Sequence, residues 1–372
     1  MEEEQTSREK FYNKPSTYLA SLGRFGVQSS KKLKRIDVAV LGATGKVGIE
    51  YLEMLKNHPW FRVVEATGNT KVGMKLGEVV PDLPSSMRSI EIKESDPSKI
   101  ESKFVFSPLP TAVAKETESK FAQSGFKVIT DASPHRMDKD VPLMIPEINP
   151  DHLKLIESRL KKKQGFIVAT PNCTTIGLAI TLKPLNDSYS VKKVVMTSFQ
   201  ALSGAGYPGV PSLDIQENVI PYISGEEEKV TQETNKLLGS FSEDRIRSNS
   251  IDVYCSCNRV AVIDGHLESV YLETKDSLTD PEGVLRSFRG VPQELKLPSA
   301  PKDPIVVTKE NDRPQPRLDR MAGNGMTTVV GRVRQSGKRV LQYHLLTHNT
   351  IRGAAGGAIL TAELLCKQYD IA

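Results

Sequence analysis

Residues 35–48, RIDVAVLGATGKVG, constrain the fold more than any other stretch of this chain. RIDVAVLG puts apolar side chains on both faces of an extended segment, the pattern of a parallel strand covered by helices on each side. Gly42, Gly45 and Gly48 follow at G-x-x-G-x-x-G spacing, and Val47, Tyr51, Leu52 and Leu55 then recur at helical spacing until Pro59. A strand, a glycine turn and a helix in that order bring free helix N–H groups to the turn, where a pyrophosphate can be held. The run Gly42, Thr44, Gly45, Lys46, Val47 and Gly48 is thus a candidate nucleotide cradle. A plain strand-to-helix turn has the same glycines, so the loop by itself leaves both readings open.

The alternation continues. FRVVEATG (61–68), KFVFSPLP (103–110) and GFKVITDAS (125–133) read as strands, and TAVAKETESKFAQSG between the last two reads as a helix closed at Gly125. Strand and helix in turn predict an α/β, Rossmann-like, doubly wound parallel sheet. Past Cys173 the character changes. VKKVVMTSFQALSG (191–204) and RVAVIDGHLESVYLET (259–274) alternate over long stretches, and residues 323–348 read as a hairpin turned at Gly337. These predict an α+β domain on a mostly antiparallel sheet. A chain of 372 residues suits two domains. The expected division is a loose polar arm over 1–34, a cofactor domain over 35–173 completed by a C-terminal helix in 349–372, and a second domain over 174–348.

Charge and cysteine usage narrow the class of function. The net charge of +5 is spread along the chain, with dense patches only at Lys31–Arg35 and Lys161–Lys163 and no nucleic-acid-binding signature. No apolar run is long enough to span a membrane, and MEEEQTSREKF lacks the order of a secretory signal. The cysteines are Cys173, Cys255, Cys257 and Cys366; Cys255-Ser-Cys257 has no second pair at zinc spacing, so no metal is expected. A cytoplasmic protein fits this usage. For the cofactor, an acidic residue about twenty positions past the glycines would select NAD. Glu65 lies near that distance, but the strand runs on, leaving Thr67, Asn69, Thr70 and Lys71 at its tip, suited to a 2′-phosphate. NADP is the favoured dinucleotide.

Cys173 in GFIVATPNCTTIGLAITL ends a strand and begins a helix. Helix N–H groups and the dipole there favour a thiolate, a nucleophile suited to carbonyls. A buried structural cysteine has the same position, and position alone does not separate the two. Cys366 lies on an apolar helix face and reads as core. A reacting thiol needs a proton partner. His266, after Gly265 at the end of an apolar run, is the first candidate and His348 the second.

GATGKVG, PNCTT, SFQALSGAGYPG, EEEKVTQETNKLL and NRVAVIDGH occur in the order of the signatures of the aspartate-β-semialdehyde dehydrogenase family. The chain resembles that family from about residue 35 to its end, and SPHRMDKDVPLMIPEIN is most similar to the archaeal and fungal branch. The resemblance implies NADPH-dependent reduction of aspartyl-β-phosphate to the semialdehyde, with inorganic phosphate as co-substrate in reverse and a homodimer or homotetramer as the assembly. It implies Cys173 as nucleophile, His266 as acid and base, and Gln200 as the residue orienting the reacting carbonyl. Arg136, Asn172 and Lys229 are implied at the substrate phosphate, Glu226 at the amino group, and Arg259 at the α-carboxylate, where a planar guanidinium suits two parallel contacts. Asn349 is implied at the nicotinamide carboxamide, and Ser203 and Gly204 as cofactor-binding residues. Malonyl-CoA reductase, which resembles the same branch, is the alternative, with a CoA thioester in place of the acyl phosphate. A non-catalytic NADPH sensor on this fold is the alternative of another kind, and the presence of both Cys173 and His266 speaks against it.

Overall fold

The structure, a computed structural model, describes residues 35–278, 281–291 and 295–371. The polar arm expected over 1–34 lies outside the described residues. Six parallel strands build the first sheet: β1 (Ile36–Val40), β2 (Phe61–Gly68), β3 (Ile92–Glu94), β4 (Phe104–Ser107), β5 (Lys127–Thr130) and β6 (Phe166–Ala169). Their order is β3-β2-β1-β4-β5-β6. Sequence direction across the sheet reverses between β1 and β4, which opens a crevice at the carboxyl ends where dinucleotides bind in such folds.

Both faces of this sheet are buried, as the unbroken apolar pattern of its strands requires. Val38, Val40, Phe104, Phe106 and Val168 pack on one side with Tyr51, Leu52 and Leu55 of the Lys46–Leu55 helix and with Ala358, Ile359 and Leu365 of the Gly356–Tyr369 helix. Ala39, Val105, Val128 and Ile167 pack on the other with Phe121 of the Thr111–Gln123 helix, in a core continuous with the rest of the molecule. Cys366 is buried in the first of these cores. The turn after β1 needs glycine twice. Gly42 has φ +67°, and a Cβ on Gly48 would collide with the Gly42 carbonyl, so only glycine lets the helix start this close to the strand.

The second sheet combines β7 (Val191–Gln200), β10 (Asp252–Arg259), β11 (His266–Thr274), β12 (Ile305–Val307), β13 (Thr328–Gln335) and β14 (Val340–Thr347). A small hairpin, β8 (Ser240–Ser242) and β9 (Arg245–Arg247), stands apart from it. The order is β10-β7-β11-β14-β13-β12. The central pairs β7–β11, β11–β14 and β14–β13 are antiparallel and the two edge pairs parallel. The segment 259–274, expected as one alternating run, is two strands. Between them residues 260–263 leave the sheet to pair with the stretch after β7, through Val260 N–H to Gln200 O and through Leu202 and Ser203 N–H to Val262 and Ile263 O. That loop brings Arg259, Gln200 and His266 to one end of the sheet. The Cys173–Tyr189 helix begins just past β6 and packs over the sheet's inner face. Among the described residues no helix is long and apolar enough to cross a membrane.

Candidate active site

Cys173 is the first residue of its helix. Asn172 caps it, its side-chain oxygen accepting from the Thr174 and Thr175 N–H groups at 2.8 and 3.3 Å. Cys173 Sγ lies 3.2 Å from His266 Nε2. The other ring nitrogen, Nδ1, accepts the Ala201 backbone N–H at 3.0 Å. That bond assigns the tautomer: the neutral imidazole carries its proton on Nε2, aimed at the sulfur. His266 is therefore a proton donor toward Sγ, and toward an oxygen replacing it, rather than the base that removes the thiol proton.

The charge states follow from burial. The Cys173 thiol is pushed up to about 12 by desolvation and by Glu226, against the pull of Arg136 and Arg259. His266 is pulled down to about 3 by burial, Arg259 and His348. The resting pair is a thiol beside a neutral imidazole, not the thiolate expected from the helix terminus, because burial and the Glu226 carboxylate outweigh the dipole. Alkylation of Cys173 by iodoacetamide, followed by mass spectrometry of its peptide, is expected to accelerate about tenfold per pH unit from pH 6 to 9 without levelling off. A plateau below pH 8 would mean a resting thiolate.

Arg259 and Gln200 end neighbouring strands and pair in register. Arg259 is buried, its Nη1 donates to the Ala201 carbonyl at 2.5 Å, and it makes no ion pair among the described residues. Burial lowers its proton affinity, yet a guanidinium remains a cation at any physiological pH. A buried cation with no carboxylate of its own suits an anionic ligand. Gln200 is buried and donates from Nε2 to Ser198 Oγ at 3.1 Å.

The Glu226–Leu237 helix closes the opposite side. Glu226 is buried, accepts from Asn172 Nδ2 at 2.9 Å, and has Lys229 Nζ at 3.9 Å from Oε2. Lys229 is half-exposed, at the mouth of the site. Glu227 instead turns to the Cys257 N–H at 3.0 Å. Arg136 is buried, with Nη1 on Glu233 at 2.9 Å, Nη2 on the Asp131 carbonyl at 2.5 Å and Nε unpartnered. Glu233 was not singled out in the sequence, although it lies two helical turns past Glu226 and so on the same face. Its second oxygen accepts the Asn172 N–H at 2.6 Å, which ties Arg136 to the residue before Cys173. Burial raises this carboxyl above its ordinary value, against Arg136 and the Asn172 N–H.

Gly353 was also missed. A Cβ there would stand 2.8 Å from the Cys173 Cβ, so this glycine lets the chain entering the last helix pass directly against Cys173. Arg352, beside it, is fully buried in a two-bond pair with Glu147, both contacts at 2.7 Å. His348 is buried and spends Nδ1 on the Ile351 N–H at 3.3 Å, a capping role away from the sulfur.

The crevice at the first sheet fits a dinucleotide. No side chain caps the Lys46–Leu55 helix, so its first N–H groups, at Lys46, Val47 and Gly48, face the turn formed by Gly42, Thr44 and Gly45. Asn69, Thr70 and Lys71 are exposed beyond β2. Thr67 is different: it is fully buried, and its hydroxyl meets Gly42 N–H at 3.1 Å and Ser95 Oγ at 2.6 Å, so it shapes the loop instead of facing a ligand. Glu65 points away to the Ser102 N–H at 2.8 Å and Lys93 Nζ at 2.8 Å. Asn349 joins two loops at one end of the second sheet, donating to Ser203 Oγ at 2.8 Å and accepting the Gly265 N–H at 2.8 Å. One amide N–H remains to it. Gly204 lies against Arg259 and His266.

Two family models match the chain: the semialdehyde dehydrogenase NAD-binding domain over residues 37–156 and the semialdehyde dehydrogenase dimerisation domain over 182–352. The chain belongs to the semialdehyde dehydrogenase family. An aspartate-semialdehyde dehydrogenase of Archaeoglobus fulgidus is 50% identical over 91% of this chain and 100% of its own length. A malonyl CoA reductase (NADP) of Metallosphaera sedula is 42% identical over 90% and 98%. The crystal structure of aspartate semialdehyde dehydrogenase with NADP from Candida albicans superposes with a TM-score of 0.82 at 36% identity, covering 91% of this chain and 100% of that one. Family membership agrees with the sequence resemblance and with both sheets.

Proposed function

We propose that this protein reduces L-aspartyl-4-phosphate to L-aspartate-4-semialdehyde with NADPH in amino-acid biosynthesis leading to lysine, threonine, methionine and isoleucine, and in reverse oxidises the aldehyde with phosphate as co-substrate. The observation that carries the reading is the 3.2 Å contact between Cys173 Sγ and His266 Nε2, at the end of the sheet that also carries Gln200 and Arg259. Cys173 Sγ bonds to the acyl carbon as the phosphate leaves, and the thiol proton departs on the phosphate, giving a thioester. NADPH, held at the glycine turn and by Asn349, would supply the hydride that this carbon takes up. His266 Nε2–H faces the resulting oxyanion, and Gln200 orients it. Collapse breaks the C–S bond and frees the aldehyde, and the departing thiolate takes up one proton from solvent to return the thiol. Arg259 holds the α-carboxylate, Glu226 the ammonium, and Arg136, Lys229 and Asn172 the phosphate. The cofactor domain spans 35–173 with 349–372, and the catalytic domain 174–348.

Glu226 favours aspartyl phosphate over malonyl-CoA. Its buried carboxylate keeps an oxygen for an ammonium group, which malonate lacks. Steady-state assays test this. NADPH should form from aspartate semialdehyde only when phosphate is present, with NADP preferred over NAD. NADPH consumption with malonyl-CoA exceeding that rate would overturn the reading. Arg259→Ala should lower kcat/KM for the aldehyde about 10–100-fold, the worth of a charged hydrogen-bonded contact, with KM for NADP unchanged.

A homodimer through the outer face of the second sheet completes the proposal. Tyr254 and Val195 are exposed there and align across the strands with Tyr271, an apolar row in need of a partner. Four free cysteines suit a reducing, cytoplasmic location.

A further inference from the structure

A row of side chains one pleat repeat below the site is unused by the chemistry above. Cross-strand register aligns Cys257 with Ser198 and Ser198 with Glu268, beneath the Arg259–Gln200 pair. Glu268 shares the inner face of β11 with His266 and is fully shielded from solvent, and neither of its carboxyl oxygens has a hydrogen-bond partner. A buried carboxyl left so is costly unless something answers it. Burial, Cys255 and Glu226 keep its proton on, so the group is a neutral acid with a carbonyl oxygen able to accept.

Ser198, also fully buried, supplies the complement. Its oxygen accepts from Gln200 Nε2 at 3.1 Å, which leaves its hydroxyl proton to give. The two flanking acceptors are the Cys257 sulfur, a weak one, and Glu268, whose Cβ is about 4.5–5.5 Å from that of its cross-strand partner. We propose that Glu268 is a positioning residue for Gln200: through one buried water it accepts the hydrogen bond that the Ser198 hydroxyl has to give, and so keeps the Gln200 amide aimed at the reacting carbonyl. The inference rests on the reading of Gln200 given above.

The test uses 4-nitrophenyl acetate, whose carbonyl is attacked by the Cys173 thiol, with the C–O bond breaking and nitrophenol carrying off the thiol proton. It needs no aspartyl group, so its result is separate from the choice of natural substrate. Rates are taken per folded chain, counted by fluorescence titration with NADPH, so that any unfolded fraction drops out. Glu268→Leu and Ser198→Ala should each slow acylation about tenfold, the loss of roughly one hydrogen bond, and the double variant should be no slower than the worse single. Glu268→Gln, which keeps the carbonyl acceptor, should return the rate to within about threefold of the parent. In a Gln200→Ala background Glu268→Leu should change nothing further. Parent-like acylation in Glu268→Leu, multiplying losses in the double variant, or no rescue by glutamine would each overturn the proposal. Equal slowing by Cys257→Ala alone, with Glu268→Leu inert, would assign the serine proton to the thiol instead.

Discussion

Cys173→Ala is expected to lower kcat by on the order of 10⁴-fold or more, because removing the group that forms the covalent bond forfeits the whole two-step path. The change is confined to the sulfur. Alanine keeps the Cβ that packs on Gly353, and Asn172 still caps the helix. The uncapped Lys46–Leu55 helix and the turn before it are separate from the sulfur, so a fluorescence titration should give parent-like NADPH affinity. Turnover above a trace in a variant that binds NADPH normally would rule out the thioester. Loss of NADPH affinity along with activity would show that the substitution had disturbed more than the nucleophile.

The second large effect falls on stability. Glu147→Ala strands the Arg352 guanidinium in a fully buried position, and breaking a buried pair by removing one partner costs about 3–5 kcal/mol. The midpoint of thermal unfolding should fall by on the order of 10 °C. Arg352 adjoins Gly353, so residual activity should fall with it as Cys173 loses its backing. The double variant Glu147→Met with Arg352→Leu should recover most of the midpoint, since it leaves no buried charge unpaired. A single variant that melts within about 2 °C of the parent would mean that water reaches the pair and that burial is not what makes it matter.

The first sheet was legible because its signals are local. Unbroken apolar strands, helices at 3.6-residue spacing and glycine punctuation predicted five of the six strands of the observed order, while the three-residue β3 carries too few side chains to show a period. β10 was overlooked for another reason. Its inward positions are Val253, Cys255, Cys257 and Arg259, so the chemistry it delivers to the site broke the apolar alternation that would have revealed it. Residues 260–265 continued the alternation of β11 and hid the loop that separates the two strands.

Among the site residues, Cys173, His266, Gln200, Arg259, Glu226 and Arg136 were named from motifs, and the fold brings them together across more than 120 positions of chain. Residue types and their order along the chain determined the fold class and the family, and picked out the candidate reacting groups. Protonation and partnership were decided only in three dimensions. The helix terminus by itself argued for a thiolate, but burial and the Glu226 carboxylate, brought up by a distant helix, leave a thiol. Thr67 stood at a strand tip in sequence and is turned inward to hold Gly42. Glu233 and Ala201 lie inside quoted motifs that carry no sign of their partners, and Glu268 lies outside them. Their effects depend on distance and desolvation, and both are set by which strands become neighbours.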